Sequence, residues 1–207
     1  MQVLRTLPTD SAVAVSGGVD SLVTLHWISQ RRPVRAVHYI HDSDYAAEEY
    51  EFVQKFCKEI GVELITQTQL PGSRSGQSQE EYWRQGRYSF FKQLPFAVCT
   101  GHTLDDAVEW YLFTSFSGQG HYMDYQHANV IRPFLTTKKM DLLAYADKYA
   151  LKWLEDPSNR QVDFAVRNRI RHDILPQVLR VNPGLYNMVK RRIVERTNNT
   201  ERPLCCT

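Results

Sequence analysis

The sequence predicts an α/β fold: a parallel sheet with helices on both faces, followed by a small helical C-terminal segment. Three observations predict it. Short valine-rich apolar runs alternate with helical patterns of ten or more residues through the first two thirds of the 207-residue chain. The first run breaks at Ser16-Gly17-Gly18 and resumes at helical spacing beyond Asp20 and Ser21, the mark of a strand–turn–helix unit. In the last third the alternation stops and the pattern is helical and basic.

The elements follow in order. Ser11 to Val15 carries valines at alternate positions and reads as a strand. Leu22, Val23, Leu25 and Trp27 give Asp20 to Gln30 a helical face, closed before Pro33. Val34 to Tyr39 is a second strand, Tyr45 to Ile60 a helix stopped by Gly61, and Val62 to Gln67 a third strand. "PGSRSGQ" at 71–77 has loop composition. Ser78 to Gln93 is a helix with Ser78 as N-cap and Glu81 at its third position. Phe96 to Thr100 is a fourth strand, followed by a helix from about Leu104 to Thr114. A short strand at Val130 to Arg132 precedes a helix at Thr137 to Tyr149, and two helical stretches, Val162 to Leu179 and Pro183 to Glu195, complete the ordered chain. The tail "TNNTERPLCCT" is expected to be mobile. The chain thus divides at 1–135, 136–196 and 197–207.

Bulk composition limits the classes. Hydrophobic residues at 43% and charged residues at 23% describe a globular chain. No basic-then-apolar leader is seen, so no secretory signal is expected. No apolar stretch approaches the ~20 residues that span a membrane. Cys57, Cys99, Cys205 and Cys206 make neither a disulfide framework nor a C-x-x-C pair, so a cytoplasmic location is expected. The formal charge of +2 is unevenly spread. Residues 160–196 hold nine Lys or Arg against three Asp or Glu, a net of +6, whereas residues 1–159 hold 15 against 19, a net of −4. Such a segment is either a polyanion-binding element or a solvated helical face.

In a parallel sheet the carboxyl end of the first strand opens on the ligand crevice. Gly17 and Gly18 allow a tight turn there. Backbone N–H groups, the Ser16 and Ser21 hydroxyls and the helix N-terminus can then converge on an anion; the plainer reading is an ordinary glycine turn. The loop lacks both G-x-x-x-x-G-K-[ST] and G-x-G-x-x-G. "EEYWRQGRYSFF" puts Arg84 and Arg87 at i, i+3, suited to phosphate or carboxylate, or else simply to solvent. "TGHTLDDAVEW" places His102, Asp105 and Asp106 at the carboxyl edge of the fourth strand, with Glu109 on the face of Asp106. N-capping accounts for one of these acids and hardly for all three.

"SGGVDS" resembles the PP-loop of the N-type ATP pyrophosphatases. Together with "TGHTLDDAVEW", "IRPFL", "WLEDPSN" and "FAVRNRIRHDILP", it makes the chain from about Val13 to Pro183 similar to the tRNA(Ile)-lysidine synthetase family. The resemblance implies a Rossmann-like sheet of the adenine nucleotide alpha hydrolase type. Residues 1–135 become the PP-loop ATP-binding domain, 136–196 a basic segment that completes the active site and meets tRNA, and 197–207 a flexible tail. It implies cleavage of ATP between the α and β phosphates, adenylation of the carbon 2 oxygen of the wobble cytidine in a CAU anticodon, and displacement of AMP by the ε-amine of free lysine. The product reads AUA instead of AUG.

The same resemblance assigns roles residue by residue. Ser16, Gly17, Gly18, Val19, Asp20, Ser21, His38, Arg84, Arg87, Gly101 and His102 would hold ATP, with Asp20 beside Mg²⁺. Asp20, Asp105, Asp106 and Arg167 would be catalytic. Asp106 and Glu109 would bind lysine, one of them serving as base, because clustered carboxylates have raised pKa values. Asn168, Arg169, Arg171, Lys190, Arg191 and Arg192 would meet tRNA, with Arg167 and Arg171 also candidates for the nucleotide phosphate or the adenylate. The implied partners are ATP, Mg²⁺, free lysine and a tRNA(Ile) with a CAU anticodon, with no membrane; a homodimer is left open.

The chain departs from the family pattern in places. Where the family has H-x-N-H-x-L-R, this chain has "HYIHDSDY", keeping His38 and His41 only. "SFSGQG" stands where the family has Arg-Gly, and Trp110 replaces a small polar residue after Glu109. Typical members carry further C-terminal domains, so a minimal form, or a different RNA substrate, is expected. Two rivals remain. A PP-loop tRNA thiolase needs catalytic or cluster-binding cysteines, and Cys99 is expected to be buried in its strand. A non-catalytic nucleotide- or RNA-binding module would not need Ser16, Asp20, Ser21, Asp105, Asp106 and Arg167 together.

Overall fold

Six strands form one sheet in the order β3-β2-β1-β4-β6-β5. A computed structural model describes residues 1, 3–69, 76–155 and 166–199, the side chains of Glu80, Val166 and Arg167 excepted. Most of the 71–77 loop, the end of "WLEDPSN", the expected helix start at Val162 and the tail from residue 200 fall outside the described residues.

The elements are β1 (Ser11–Ala14), α1 (Val19–Ser29), β2 (Arg35–Ile40), α2 (Ala46–Glu59), β3 (Leu64–Thr68), α3 (Gln79–Gln93), β4 (Ala97–Cys99) and α4 (Leu104–Phe116). They continue as β5 (Gln126–His127), β6 (Val130–Ile131), α5 (Lys139–Lys148), α6 (Val166–Arg169), a π-helical turn (Ile170–Ile174), α7 (Leu175–Val181) and α8 (Leu185–Asn199). β1 pairs in parallel with β2 on one side and β4 on the other, with Val13 opposite Ala36 and Cys99. Successive strand residues point to opposite faces. Val13, Ala36, Cys99 and Ile131 therefore pack under Leu22, Leu25 and Ile28 of α1 and Val53 and Phe56 of α2. Ala12, Val37, Val98 and Val130 meet Phe90 and Phe91 of α3 on the other face. Both faces of the central strands are covered, which is why they read as continuous apolar runs.

The edge hairpin β5–β6 was not expected. Its outer strand is two exposed residues with no apolar alternation. It forms because Ala128 adopts a left-handed φ of 52° and Asn129 Nδ2 donates to the Phe91 and Phe96 carbonyls (2.5 and 3.3 Å), tying the turn to the end of α3. Ser78 caps α3 as expected, its hydroxyl accepting from Glu81 N (3.2 Å).

The last third packs on α1 and α4. Phe134, Leu142 and Ala146 meet Val19 and Val23. Leu104, Ala107, Val108 and Leu112 of α4 meet Ile170, Leu175, Leu185, Val189 and Ile193. The single helix expected over Val162–Leu179 is instead α6, the π-helical turn and α7. Pro176 gives the reason: it has no N–H for the His172 carbonyl, and its ring crowds the preceding turn. α8 runs past the expected end at Glu195 to Asn199, with Thr197 buried and its hydroxyl on the Ile193 carbonyl (2.7 Å), so the ordered chain includes the start of the expected tail. No helix among the described residues is long and apolar enough to cross a membrane.

Candidate active site at the switch point

Strand order reverses at β1, with β2 and β3 to one side and β4 and β6 to the other, so the crevice opens between the carboxyl ends of β1 and β4. The turn after β1 is set by its own backbone. Gly17 sits at φ 76°, a conformation side chains rarely adopt, and its carbonyl accepts from Leu154 N (3.0 Å). Ser21 Oγ accepts from Ser16 N (3.1 Å), donates to the Gly18 carbonyl (2.8 Å) and lies 3.4 Å from Ser16 Oγ. Gly18 is the N-cap of α1 and supplies no side-chain acceptor, leaving the first N–H groups of the helix for a ligand. From β4, Gly101 comes against the same turn. A Cβ there would stand 2.8 Å from the Asp20 carbonyl carbon and 2.9 Å from Ser21 N, so only glycine lets the two walls meet.

Around this turn lies a cavity of about 260 Å³ lined by Ser16, Gly18, Asp20, Ser21, His38, His41, Arg87, Gly101, His102 and Asp106, among others. Two of the expected ATP-binding side chains do not line it: that of Val19 is buried between α1 and α5, leaving only its backbone at the turn, and that of Arg84, one turn from Arg87, lines a neighbouring cavity. His38 Nδ1 lies 2.8 Å from the Val15 carbonyl, which can only accept, so Nδ1 carries the hydrogen and Nε2 is an acceptor, unpartnered among the described residues. Burial holds His38 below the usual histidine range and pushes His41 down to about 4, so both are neutral at pH 7.

Asp20 is the centre of charge. Its Oδ2 accepts from Lys139 Nζ (2.8 Å), and its Oδ1 is buried without a partner among the described residues. Burial raises its pKa despite Lys139, and the nearby Asp106 adds to the rise. Lys139 was missed by sequence reasoning. A signal existed: a lysine in the first turn of a helix opposes the helix dipole, and such local conflicts mark sites where something else is being served.

The acids of α4 depart from expectation. Asp106 Oδ2 accepts from Thr103 N and Thr103 Oγ1, both at 2.7 Å, closing a capping box. Asp105 Oδ2 accepts from Lys139 N (2.7 Å) and Oδ1 from the Tyr186 hydroxyl (3.0 Å), bracing α5 and α8. Capping thus engages both aspartates. Burial acts to raise the Asp106 pKa, but His102, the Thr103 hydrogen bonds and Arg171 together hold it below the usual carboxylate range. The expectation of a raised clustered carboxylate fails here. Glu109, nearly buried, is gripped by Arg171 through Nε–Oε1 (2.5 Å) and Nη2–Oε2 (2.9 Å), and Arg171 Nη2 is 3.7 Å from Asp106 Oδ1. Arg171 therefore turns into the acids at the site, where the sequence leaves it either to RNA or to the nucleotide phosphate.

Of the remaining predicted residues, Asn168 is half-buried and Arg169 exposed, and the Arg167 side chain lies outside the described residues. On α8, Lys190 is exposed, while Arg191 and Arg192 reach Glu195 at 3.7 and 3.0 Å. Burial pushes the Cys57 and Cys99 thiols up to about 11 and 12, leaving both as inert core groups.

A second, larger cavity of about 460 Å³ lies between α3, the middle of α4, the segment after α4 and the β5–β6 hairpin. Tyr88 and His102 line both cavities. Arg84 faces this one, its guanidinium 5.0 Å from the centre of the Tyr88 ring.

A strand–loop–helix turn at a switch point, with serines and an aspartate around an open helix N-terminus, defines an ATP-binding domain of the PP-loop class. The chain belongs to the PP-loop domain family, whose model matches residues 5–178. Its curated relatives include the tRNA(Ile)-lysidine synthases of Lactiplantibacillus plantarum (31% identical over 86% of this chain and 44% of that protein) and of Legionella pneumophila strain Paris (32%, with the same coverage). The chain thus spans about 44% of the length of these relatives. Among solved structures it resembles the U34-tRNA thiolase of Methanococcus maripaludis with its [4Fe-4S] cluster, at a TM-score of 0.72 and 18% identity over 98% of this chain and 76% of that one, a likeness of fold.

Proposed function

We propose that this chain is an ATP-dependent ligase of tRNA that makes lysidine. The observation that carries the reading is the Asp20 carboxylate, one oxygen held by Lys139 and the other buried without a partner among the described residues, in one cavity with the serine–glycine turn and Asp106. The names of the relatives, tRNA(Ile)-lysidine synthases, support the choice of reaction. The turn and the N-terminus of α1 hold the β and γ phosphates, and Arg87 and His102 flank the α phosphate. The cytidine carbon 2 oxygen attacks that phosphorus, the bond to the bridging oxygen breaks, and pyrophosphate leaves. The lysine ammonium passes a proton to water, its amine nitrogen adds at carbon 2, and the carbon–oxygen bond breaks to release AMP.

Mg²⁺ fits the unpartnered Asp20 Oδ1, a hard oxygen that would hold the ion together with phosphate oxygens. It would supply charge neutralisation of the triphosphate. Asp105 acts as a positioning residue. Asp106 and Glu109 receive the lysine ammonium, Arg171 standing in for that cation until lysine arrives. The low pKa of Asp106 keeps it ionised, which suits holding a cation better than taking its proton. Residues 1–135 form the ATP-binding part and 136–196 the part that completes the site and meets RNA, in the cytoplasm.

The test is nucleoside mass spectrometry of a CAU-anticodon tRNA(Ile) transcript after incubation with the chain, ATP and lysine, alongside pyrophosphate release with and without RNA. Lysidine is the expected product. RNA-dependent pyrophosphate without lysidine assigns the chain to another modification, and RNA-independent turnover sinks the tRNA reading.

A further inference from the structure

The larger cavity is not accounted for by ATP or lysine. It shares Tyr88 and His102 with the ATP cavity, so the two cavities meet at these side chains. Its surface combines Tyr88 and Trp110 with Arg84, Lys92 and Arg132. Arg132 is 7% exposed, donates to the Asp124 carbonyl (2.7 Å), and keeps Nε buried without a partner among the described residues. Flat rings between guanidinium and ammonium groups suit an unpaired base flanked by phosphates: the ring faces stack, the cations follow the backbone. A lone phosphate would not use the aromatic walls, and an acidic peptide would not use their flat faces.

Two sequence features meet here. Trp110, which departs from the family pattern, lines this cavity, and the segment after α4 that follows the divergent "SFSGQG" supplies His121, Tyr122 and Met123 to the same wall. Two of the three departures from the family pattern thus fall at or beside this cavity, while the third, around His41, borders the ATP cavity.

We propose that this cavity is the acceptor site, taking one unpaired RNA nucleotide whose base stacks on Trp110 and Tyr88 while Arg84 and Lys92 contact its flanking phosphates. The proposal rests on the tRNA-modifying reading above. Arg84, expected from sequence to hold ATP, becomes an RNA contact, and Arg87 alone of the pair stays with ATP.

The test is fluorescence anisotropy of a labelled single-stranded RNA heptamer carrying CAU, without ATP or lysine, across a salt series. Trp110→Ala lowers affinity fivefold or more. Arg84→Gln with Lys92→Gln lowers the slope of log affinity against log salt by about 1.4, at about 0.7 per lost single-strand contact. Affinity for ATP stays within twofold of the parent in both variants. Folded variants that bind RNA as the parent does overturn the acceptor site and leave the tRNA reading standing. A parent chain that turns over ATP but binds no RNA overturns both. Independently of any variant, a 4-thiouridine heptamer photocrosslinked to the parent chain should label α3 or residues 110–123; labelling confined to α8 overturns the proposal.

Discussion

The two walls of the ATP cavity are held together over very different distances along the chain. On the β1 side, Ser16 and Ser21 bond to each other five residues apart, and Ser21 reaches Gly18 three residues away. On the α4 side, Asp105 reaches Lys139 over 34 residues and Tyr186 over 81, and Glu109 reaches Arg171 over 62. The first wall is a preset backbone cradle whose groups have little else to do. The second is a set of charged pairs already satisfied by the protein, so a ligand there must compete with a side chain. The difference suits the two proposed substrates: a triphosphate gripped by a rigid turn, and an amine admitted by exchange for a guanidinium.

The largest expected effect lies where the walls meet. Asp20→Asn keeps the shape and removes the charge, and should lower ATP turnover a hundredfold or more, by analogy with loss of a preorganised charge-stabilising group. Its stability behaviour checks the burial argument. A folded pKa raised above 3.8 means the folded chain binds the Asp20 proton more tightly than the unfolded one, so this residue costs stability as pH rises through that window. The variant should lack that loss in a melting series from pH 3 to 7. A variant with full turnover would remove Asp20 from the chemistry.

Next in size is the contact between the walls. Gly101→Ala drives a Cβ into the α1 backbone, where nothing flexible can yield, and overpacking of this kind costs about 1–3 kcal/mol. ATP affinity should drop about tenfold as the turn is pushed from β4. Gly18→Ala is the control for stability: its Cβ would meet only Ser16 Oγ at 3.6 Å, so it should melt like the parent. Equal melting of both variants would show that β4 and the turn are not in contact in solution.

The long-range wall predicts a smaller, pH-dependent effect. Arg171→Met leaves Glu109, whose side chain is 5% exposed, without its guanidinium, at a cost of about 2 kcal/mol, since hydrogen bonds to charged groups contribute about 1.5–3. Arg171 also helps hold Asp106 low. A depressed carboxylate adds stability above 3.8 that is lost as pH falls, so weakening the depression matters most near neutrality. The deficit should therefore shrink toward acid. Lysine should bind the variant more tightly if Arg171 occupies its place, and no better if the pair is purely structural.

The same contrast decides what was legible in the sequence. The β1–α1 turn, the parallel sheet and the Ser78 cap were readable because each is written within a few residues: valine alternation, paired glycines, an N-cap three residues before Glu81. Asp105 and Asp106 were located correctly at the end of β4, yet their bonds were not foreseen, because nothing near them names Lys139 or Tyr186. For Arg171 the sequence leaves RNA and the nucleotide phosphate both open, because helical spacing predicts a face but not what that face meets. The β5–β6 hairpin escaped because its turn uses a left-handed alanine, where the usual signal is glycine or asparagine. The π-helical turn had one clue, Pro176, which limits where a helix can run but not how the helix adjusts.

The smallest effect is expected on α8, although its charge first suggested an RNA surface. Lys190, Arg191 and Arg192 are exposed, and two of them share Glu195, a solvent-screened arrangement that contributes little to the fold. Arg192 also adjoins Tyr122, which lines the larger cavity, so the α8 face continues the rim of the proposed acceptor site. It would then touch flanking phosphates only. With Arg191 and Arg192 held by Glu195, replacing all three residues by Gln should lower the salt slope by about 0.7, one single-strand contact, and weaken RNA binding less than Trp110→Ala does at moderate salt. A CAU stem-loop and whole tRNA should be affected alike, because a rim contact reaches only the nucleotides beside the acceptor. If binding of whole tRNA collapses while the stem-loop is indifferent, α8 grips a part of the tRNA beyond the anticodon arm, and the acceptor cavity is then the minor share of the RNA interface.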